Sequence, residues 1–381
     1  MTRRAAWAGA LAAAAVAAGC GNLYYRDWPP SYRHETVHLG EVRQEVDARA
    51  VGMAGAGRAS IYGAESVISN PAALAALEGG AVSAGGGYRH WNYTVQPDQA
   101  GIKAQSFFGS FAGAYGAGAW PVVPGRFAVG GALWAPHDYT YEIGGEGKGG
   151  EIRSRGALRA VGPAAAVRLG DLSCGVGVDY LWGGERITSS EPRFEEVDLR
   201  GRGYDARLAF GGQFDLAPGW ALAAMAGGKK GADVRFSGER SYKVRFPPTA
   251  GAAVSVSALS VSVHLDYLFT FYEAMEADDP EVAQTLAATA YNAGWGAAGA
   301  EYVLYSGAVA RAGFGYRPWY VRDGMRRRVD WFHYAMGGGW PILERRGRLD
   351  VGLGYGRRGA LDTSGYSTDV IELQVTVDYF W

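Results

Sequence analysis

The most informative part of the sequence is IELQVTVDYFW, which runs from Ile371 to Trp381. Because successive side chains of a β-strand point to opposite faces, this stretch has one apolar face and one polar face. The apolar face carries Ile371, Leu373, Val375, Val377, Tyr379 and Trp381. The polar face carries Glu372, Gln374, Thr376 and Asp378. This pattern is typical of a transmembrane strand that faces lipid on one side and a polar lumen on the other.

Two further stretches show the same alternation. SVSVHLDYLFTFY, at residues 260–272, places Val261, Val263, Leu265, Tyr267, Phe269 and Phe271 outward and Ser262, His264, Asp266 and Thr270 inward. YDARLAFGGQF, at residues 204–214, places Asp205, Arg207 and Gln213 inward. Polar inner faces argue against a buried parallel sheet, whose strands are apolar on both sides.

Fourteen such segments follow one another along the chain. They span residues 81–93, 104–116, 126–136, 156–169, 172–184, 203–215, 219–228, 245–257, 259–272, 295–303, 307–316, 331–340, 348–357 and 369–381. The connections alternate between long polar loops and shorter turns such as Gly170-Asp171. An up-and-down barrel with both termini in the periplasm has this alternation and an even strand count. The sequence therefore predicts an all-β protein, a 14-stranded antiparallel transmembrane β-barrel.

Composition restricts the function classes. Glycine accounts for 59 of 381 residues, aromatic residues for 13%, and the net charge is -1. The apolar content of 48% argues against a disordered chain, and the charge gives no electrostatic footprint for nucleic acid. The cysteines, Cys20 and Cys174, are too few for a disulfide framework or a cysteine-rich metal site. We expect no cofactor and no bound metal.

The amino terminus predicts export. Arg3 and Arg4 precede a short apolar run, so residues 1–19 are expected to be a signal peptide. Cleavage after a small-residue triplet ending at Ala17 is one alternative. Acylation of Cys20, whose surroundings resemble a bacterial lipobox, is the other. Residues 20–40 would then form a periplasmic tail, and the mature protein would reside in the outer membrane of a Gram-negative bacterium.

The segment before the first strand reads DARAVGMAGAGRASIYGAESVISNPAALAAL, residues 47–77. Locally, Asn70 is expected to cap a helix with its side chain, and Pro71 to occupy the first helical position. A Gly/Ala-rich run followed by Asn-Pro-Ala just ahead of strand 1 resembles the FadL family of outer-membrane channels for hydrophobic compounds. YGAGAWPVVPGRFAVGGALWAP, residues 115–136, is similar to that family's second and third strands.

The resemblance implies a domain organisation and a function. Residues 41–80 would be a hatch inside the lumen, with Asn70, Pro71 and Ala72 on the hatch motif, and residues 81–381 would be the barrel. The chain would allow passive uptake of long-chain fatty acids or similar apolar small molecules. A lateral opening near strand 3 would place Pro121 and Pro124 as its candidates. In the alternative, the chain resembles secretion-system shuttle barrels and acts as a scaffold for partner proteins.

One long loop has helical character. Asp279 and Pro280 are expected to begin a helix that ends near Gly294. Its apolar stripe, Val282, Leu286 and Ala290, is a candidate mouth for an apolar ligand; the alternative is a helix that only shields the barrel rim.

One group of inward residues has the residue types of a hydrolase site, and the alternative for it is a polar lumen ladder. Ser262, His264 and Asp266 alternate on one face, but residues two apart on a strand lie about 6.5 to 7 Å apart, too far for a nucleophile and base to bond directly. We therefore expect no enzyme. Expected partners are outer-membrane lipid, lipopolysaccharide at the basic run 326–328, and the barrel-assembly machinery, whose terminal signal the ending Phe380-Trp381 resembles.

Overall fold

The computed structural model describes residues 41–42, 47–60, 63–96, 104–139, 141–143, 152–189, 197–238, 241–280, 283, 291–318, 329–360 and 365–381. The signal peptide, Cys20, the tail 20–40 and the basic run 326–328 lie outside these residues, and their roles stay predictions.

Fourteen long strands form the body of the molecule. Their bounds are β1 (Ala81–Gln96), β2 (Ala104–Val123), β3 (Phe127–Asp138), β4 (Ile152–Leu169), β5 (Leu172–Ser189), β6 (Val197–Ala217), β7 (Trp220–Lys229), β8 (Thr249–Ala258), β9 (Val261–Thr270), β10 (Ala293–Val303), β11 (Val309–Pro318), β12 (Val329–Ile342), β13 (Gly347–Ala360) and β14 (Gly365–Phe380). Each strand pairs antiparallel with the next. β14 pairs with β1 from Gly365 opposite Gln96 to Phe380 opposite Ala81, which closes the barrel. The predicted fold is confirmed.

The alternation of long and short connections is also confirmed. Short turns join β2 to β3, β4 to β5, β6 to β7, β8 to β9, β10 to β11 and β12 to β13. Gly125, Gly170, Gly219 and Gly307 take positive φ angles in four of them, a conformation that tight turns require and glycine adopts without strain. We call this end of the barrel the short-turn end and the opposite one the long-connection end.

The two faces of the strands match the sequence pattern. In β14, Leu373, Val375 and Val377 are 37 to 44% exposed, whereas Glu372, Gln374, Thr376 and Asp378 are at most 5% exposed. Near the short turns, Trp120, Trp220 and Trp340 lie on the outer surface, each about half exposed. An outward apolar band with an aromatic girdle is what a barrel in a lipid bilayer presents.

Several short elements accompany the barrel. They are helices α1 (Ala48–Gly52) and α2 (Ser66–Ser69), the 3-10 helices Pro71–Ala76, Tyr272–Ala274 and Leu343–Arg345, and the strands Glu41–Val42, Tyr141–Ile143, Asp233–Ser237, Tyr242–Arg245 and Glu276–Ala277. None of the helices in the described ranges is long and apolar enough to cross a membrane.

Residues 47–60 and 63–80, which we call the lumenal segment, lie inside the barrel. Helix α1 packs against β12, β13 and β14, and the 3-10 helix Pro71–Ala76 packs against β4 and β5. Inward-facing glycines allow this close approach. A Cβ atom at Gly313 would overlap the backbone of Met53, and one at Gly175 would overlap Pro71.

Candidate functional site

Buried ion pairs attach the lumenal segment to the wall. The Arg49 guanidinium in α1 donates through Nε to both carboxylate oxygens of Glu301 in β10, at 3.1 and 3.2 Å. Arg311 in β11 bridges Glu301 and Asp350, at 2.6 Å to each. All four side chains are at most 8% exposed. Since removing one partner of a buried pair leaves an uncompensated charge, this network holds α1 at one position.

A second attachment lies where the lumenal segment turns. Asp266 in β9 accepts hydrogen bonds from the backbone amides of Gly57 and Arg58, at 3.0 and 3.1 Å, and pairs with the Arg58 side chain at 2.9 Å. The Arg58 guanidinium also lies over the Trp295 ring, 5.2 Å from its centroid. These contacts fix the turn between α1 and α2 against the wall.

Asn70 does not cap a helix with its side chain, so that expectation was wrong. Its Nδ2 donates instead to the carbonyl oxygen of Arg58, 2.8 Å away, because the preceding turn lies within reach. Its Oδ1 has no hydrogen-bond partner among the described residues, although the side chain is buried. Pro71 does occupy the first position, but of a 3-10 helix. Ala72 is fully buried and packs with Ala59, Ala209 and other small side chains.

The serine and histidine considered for catalysis are not brought together as a nucleophile and base. The Ser262 hydroxyl contacts Ser257 at 2.8 Å. His264 Nδ1 lies 2.7 Å from the Ser255 hydroxyl, and its Nε2 lies 3.2 Å from Glu301. Ser255 and His264 are at most 3% exposed, and neither lines the cavity described next. His264 belongs to the polar lumen ladder that the sequence predicted, and it lies there between Ser255 and Glu301.

A cavity of about 120 Å³ lies between the lumenal segment and strands β3, β5, β6, β7, β8 and β9. Its apolar lining consists mainly of Ile68, Trp134, Leu181, Met225, Phe246 and Leu268. Its polar lining includes Arg58, His137, Asp179, Asp205, Arg207 and Lys229. The cavity therefore combines apolar walls with a small set of charged groups, as ligand pockets in proteins do.

Most of the charges at the cavity are compensated within the protein. Arg207 pairs with Asp179 at 2.6 Å and donates to the carbonyl oxygens of Val67 and Ile68, at the end of α2. Asp205 accepts from the backbone amides of Ala206 and Gly231, at 2.8 and 3.1 Å. Lys229 has no ion-pair partner within 4.0 Å in the described part of the chain. Lys229 is thus the charged group available to a ligand atom.

A bulge in β3 shapes one wall of the cavity. The pairing of β3 with β4 shifts between Trp134 and His137, where Ala135 and Pro136 together lie opposite the single residue Arg159. The extra residue shifts the inward and outward alternation of the side chains. As a result, Trp134, Pro136 and His137 all line the cavity. His137 packs on Phe246, with 4.4 Å between ring centroids, and Arg207 lies 5.0 Å from the Trp134 ring centroid.

Sequence reasoning missed a hairpin that lies just ahead of Phe246 along the chain. The stretch GKKGADVRFSGERSYK, residues 228–243, is predicted from the sequence to be a long polar loop. In the structure, Asp233–Ser237 and Tyr242–Arg245 pair as a hairpin, which we call the ribbon, and its first strand also pairs with β6. Val234, Phe236, Tyr242 and Val244 are buried. The signal was present in the alternation of DVRFS and YKVRF.

The remaining candidates are placed as follows. Pro121 lies in the ladder of β2 opposite Ala128, and Pro124 lies in the turn that follows. Val282, Leu286 and Ala290 lie outside the described residues, so the ligand mouth stays a prediction. In the described ranges, no group of three or more His, Cys, Asp or Glu side chains is placed to hold a metal ion.

Solved structures with the same fold exist at low sequence identity. The monoaromatic hydrocarbon channel CymD shares 16% identity at a TM-score of 0.61, with 88% of this chain and 97% of that chain covered. A Pseudomonas aeruginosa FadL homologue shares 14% identity at a TM-score of 0.61, with 89% and 99% covered. The Ralstonia pickettii toluene transporter TbuX shares 16% identity at a TM-score of 0.58, with 89% and 99% covered.

No family model and no curated protein sequence matches the chain. The similarity is therefore one of fold, and it extends over nearly the whole length of each solved structure.

Proposed function

We propose that this chain, whose fold is that of the FadL-type channels, is a passive channel for small hydrophobic compounds in the outer membrane of a Gram-negative bacterium. The observation that carries the proposal is the cavity with mainly apolar walls, which lies inside a barrel whose lumen the chain's own segment occupies. The outward apolar band and the amino-terminal export signal support the location.

The size of the cavity favours a compact ligand. A volume of about 120 Å³ is close to that of the roughly 150 Å³ apolar cavity in which a protein can bind benzene. A single-ring compound would fill it, whereas a long-chain fatty acid would have to extend beyond it. A ligand oxygen would find Lys229 as its donor, since Arg58 and Arg207 are already paired.

For a small apolar solute to pass through the barrel, the lumenal segment has to move. An apolar solute crosses poorly through a wet pore because its surface would have to be hydrated there. We infer that the segment around Asn70, Pro71 and Ala72 acts as a hatch below the cavity. A lateral exit would lie where the pairing of β2 with β3 ends, beyond Gly116 and Leu133. Pro121 and Pro124 lie at the other end of that ladder, where they would shape the turn.

Ligand binding to the purified barrel tests the proposal. We expect toluene to bind the detergent-solubilised protein and to bind Trp134→Ala at least several-fold more weakly, because the Trp134 ring forms one wall of the cavity. Trp120→Ala is the matched control, since this ring is 54% exposed on the outer surface. Equal losses in the two variants, or no toluene binding by a folded barrel, would contradict the proposal.

A further inference from the structure

Four polar side chains form a row across neighbouring strands of the cavity wall. Arg207 in β6 lies opposite Lys229 in β7, and Lys229 lies opposite Thr249 in β8. Thr249 in turn lies opposite Thr270 in β9. All four residues line the cavity, and we call them the polar row.

The next inward-facing row, two residues closer to the short turns, is small and apolar. This apolar row consists of Ala209, Gly227, Gly251 and Leu268, which pair in the same strand order and also line the cavity. Because neither glycine projects a side chain into the cavity, space for a ligand remains beside them. The wall formed by β6 to β9 is therefore polar toward the long-connection end and apolar toward the short turns.

Lys229 brings unused hydrogen-bond donors to the polar row. Arg207 is paired with Asp179, at 2.6 Å. The Lys229 ammonium group, in contrast, has no hydrogen-bond or ion-pair partner in the described ranges, where only the backbone amide of Lys229 donates, to Thr249. An ammonium group has three N–H donors. A ligand oxygen at this end of the wall can accept one of them.

Asp205 brings an acceptor next to these donors. It lies two residues before Arg207 on the same face of β6, so it is a diagonal neighbour of Lys229, at roughly 7 to 8 Å in an antiparallel sheet. The Asp205 Oδ1 atom accepts from the backbone amides of Ala206 and Gly231. Its Oδ2 atom accepts no hydrogen bond from the part of the chain that the structure describes.

The charge balance of the cavity favours a neutral ligand. Arg58 and Arg207 are each paired with an aspartate. The remaining formal charges of the lining, on Lys229 and Asp205, have opposite signs. A ligand anion would therefore meet no excess of positive charge. A neutral hydroxyl group, by comparison, can accept from one of these side chains and donate to the other.

We propose that the preferred ligand of this cavity is a hydroxylated single-ring compound, a phenol, whose oxygen accepts from Lys229 and whose O–H donates to Asp205 while the ring lies beside the apolar row. This inference rests on the proposed function, since it names the ligand class of the same cavity. A pure hydrocarbon fills the same space but leaves both polar groups without a ligand partner. A site built to hydrogen-bond a hydroxyl group discriminates against ligands that lack it for this reason.

Binding of matched ligands to the detergent-solubilised barrel tests the proposal. 4-Methylphenol is toluene with one added hydroxyl group, and it is neutral at pH 7 because a phenolic O–H has a pKa of about 10. Anisole is an isomer of 4-methylphenol whose oxygen accepts but does not donate. We expect 4-methylphenol to bind about tenfold more tightly than toluene or better, the usual effect of a hydrogen bond to a charged group, with anisole between them.

Substitutions at the two polar groups assign the preference to this cavity. Lys229→Met keeps the length of the side chain but removes its donors, so it should bring the ratio of the toluene and 4-methylphenol dissociation constants close to one. Lys230→Met is the matched control and should keep the ratio, because Lys230 is exposed and does not line the cavity. Asp205→Asn should remove the preference for 4-methylphenol over anisole. Since each variant is judged by a ratio of two ligands, partial loss of folded protein does not imitate these results.

The outcomes separate this inference from the proposed function. Equal binding of toluene and 4-methylphenol, weakened alike in Trp134→Ala, would overturn the preference for a hydroxyl group and leave the channel proposal intact. Binding of neither ligand by a folded barrel would overturn both. Tighter binding of benzoate than of 4-methylphenol would show an anion site, and an unchanged ratio in Lys229→Met would remove Lys229 from the site; either result would overturn the inference.

Discussion

At the residue scale, glycines on the inner face of the barrel determine how closely the lumenal segment packs. A Cβ atom at Gly313 in β11 would overlap the Met53 backbone, whereas one at Gly296 in β10 would meet nothing within 4 Å. We expect Gly313→Val to lower the free energy of unfolding by about 1–3 kcal/mol, the usual cost of overpacking.

The measurement is urea unfolding of the detergent-solubilised barrel, combined with limited proteolysis of residues 47–60. Gly296→Val is the matched control and should lose little stability by either criterion. If the two variants behave alike, the close packing of α1 against β11 is not what holds the segment.

We expect Glu65, in the lumenal segment, to make the stability of the protein against unfolding depend on pH. Burial, with smaller contributions from Asp378 and Asp47, raises the pKa of the Glu65 carboxyl from 4.5 to about 8. Between these values the unfolded chain has lost a proton that the folded chain still holds. Stability contributed by this group is therefore complete below pH 4.5 and is lost as the pH rises through about 8, by at most about 1.4 kcal/mol per pH unit.

Glu65→Gln should reduce this dependence, because the amide does not titrate. We expect the difference in unfolding free energy between pH 6 and pH 8.5 to be larger for the native chain than for the variant, measured by urea unfolding. A difference that is the same in both proteins would show that other groups cause it.

The sequence predicted which residues face the lumen but not which of them meet. Alternation alone placed Glu372, Asp378 and His264 inward, and all three are buried there. The pairing of Arg49 with Glu301 joins residues 252 positions apart, and the strand pattern carries no information about which side of the lumen each group occupies. The cap expected for Asn70 failed for the same reason, since the competing acceptor, the Arg58 carbonyl, is supplied by tertiary structure.

At the element scale, the ribbon forms a buried apolar unit at the long-connection end. Phe236 is 2% exposed and stacks on Tyr242, with 5.3 Å between the ring centroids. Phe236→Ala should destabilise the ribbon by about 3–5 kcal/mol, the usual cost of deleting a buried aromatic ring. The neighbouring substitution Arg235→Ala, on the exposed face, should have little effect.

Protease cleavage within residues 233–245 of the folded barrel is the measurement. We expect faster cleavage of Phe236→Ala alone. The barrel itself should stay folded in both variants, as judged by its heat-dependent mobility on a denaturing gel. Equal cleavage of both variants would mean that the ribbon is not held by its apolar face.

Long strands were predictable because each repeats a two-residue period over ten or more residues, as Ile371 to Trp381 does. The ribbon strands were missed because each has only four or five residues, and the surrounding sequence is charged. The bulge at Ala135-Pro136 was not predicted either, and it determines that His137 joins Trp134 at the cavity.

At the scale of the whole molecule, strand count and closure followed from the sequence, whereas the cavity did not. Its lining comes from the lumenal segment, from strand β3, from strands β5 to β9 and from Phe246 next to the ribbon, and no local pattern relates these regions. We propose that this barrel admits small hydrophobic compounds when the lumenal segment moves. A reversible disulfide between that segment and the barrel wall tests this proposal.

Ala72 and Gly211 are suitable positions for such a disulfide. A Cβ atom at Gly211 in β6 would lie 3.7 Å from the Ala72 Cβ atom, close to the mean Cβ–Cβ distance of about 3.8 Å in disulfides. The decisive measurement is uptake of labelled toluene by cells carrying Ala72→Cys with Gly211→Cys, beside each single variant. All variants also carry Cys174→Ala, which removes the free thiol of Cys174. We expect each reduced variant to take up more toluene than cells without the barrel. In the double variant alone, this uptake should be lost on oxidation and regained with a reductant. Uptake no greater than in cells without the barrel, from a folded and reduced protein, would contradict the claim.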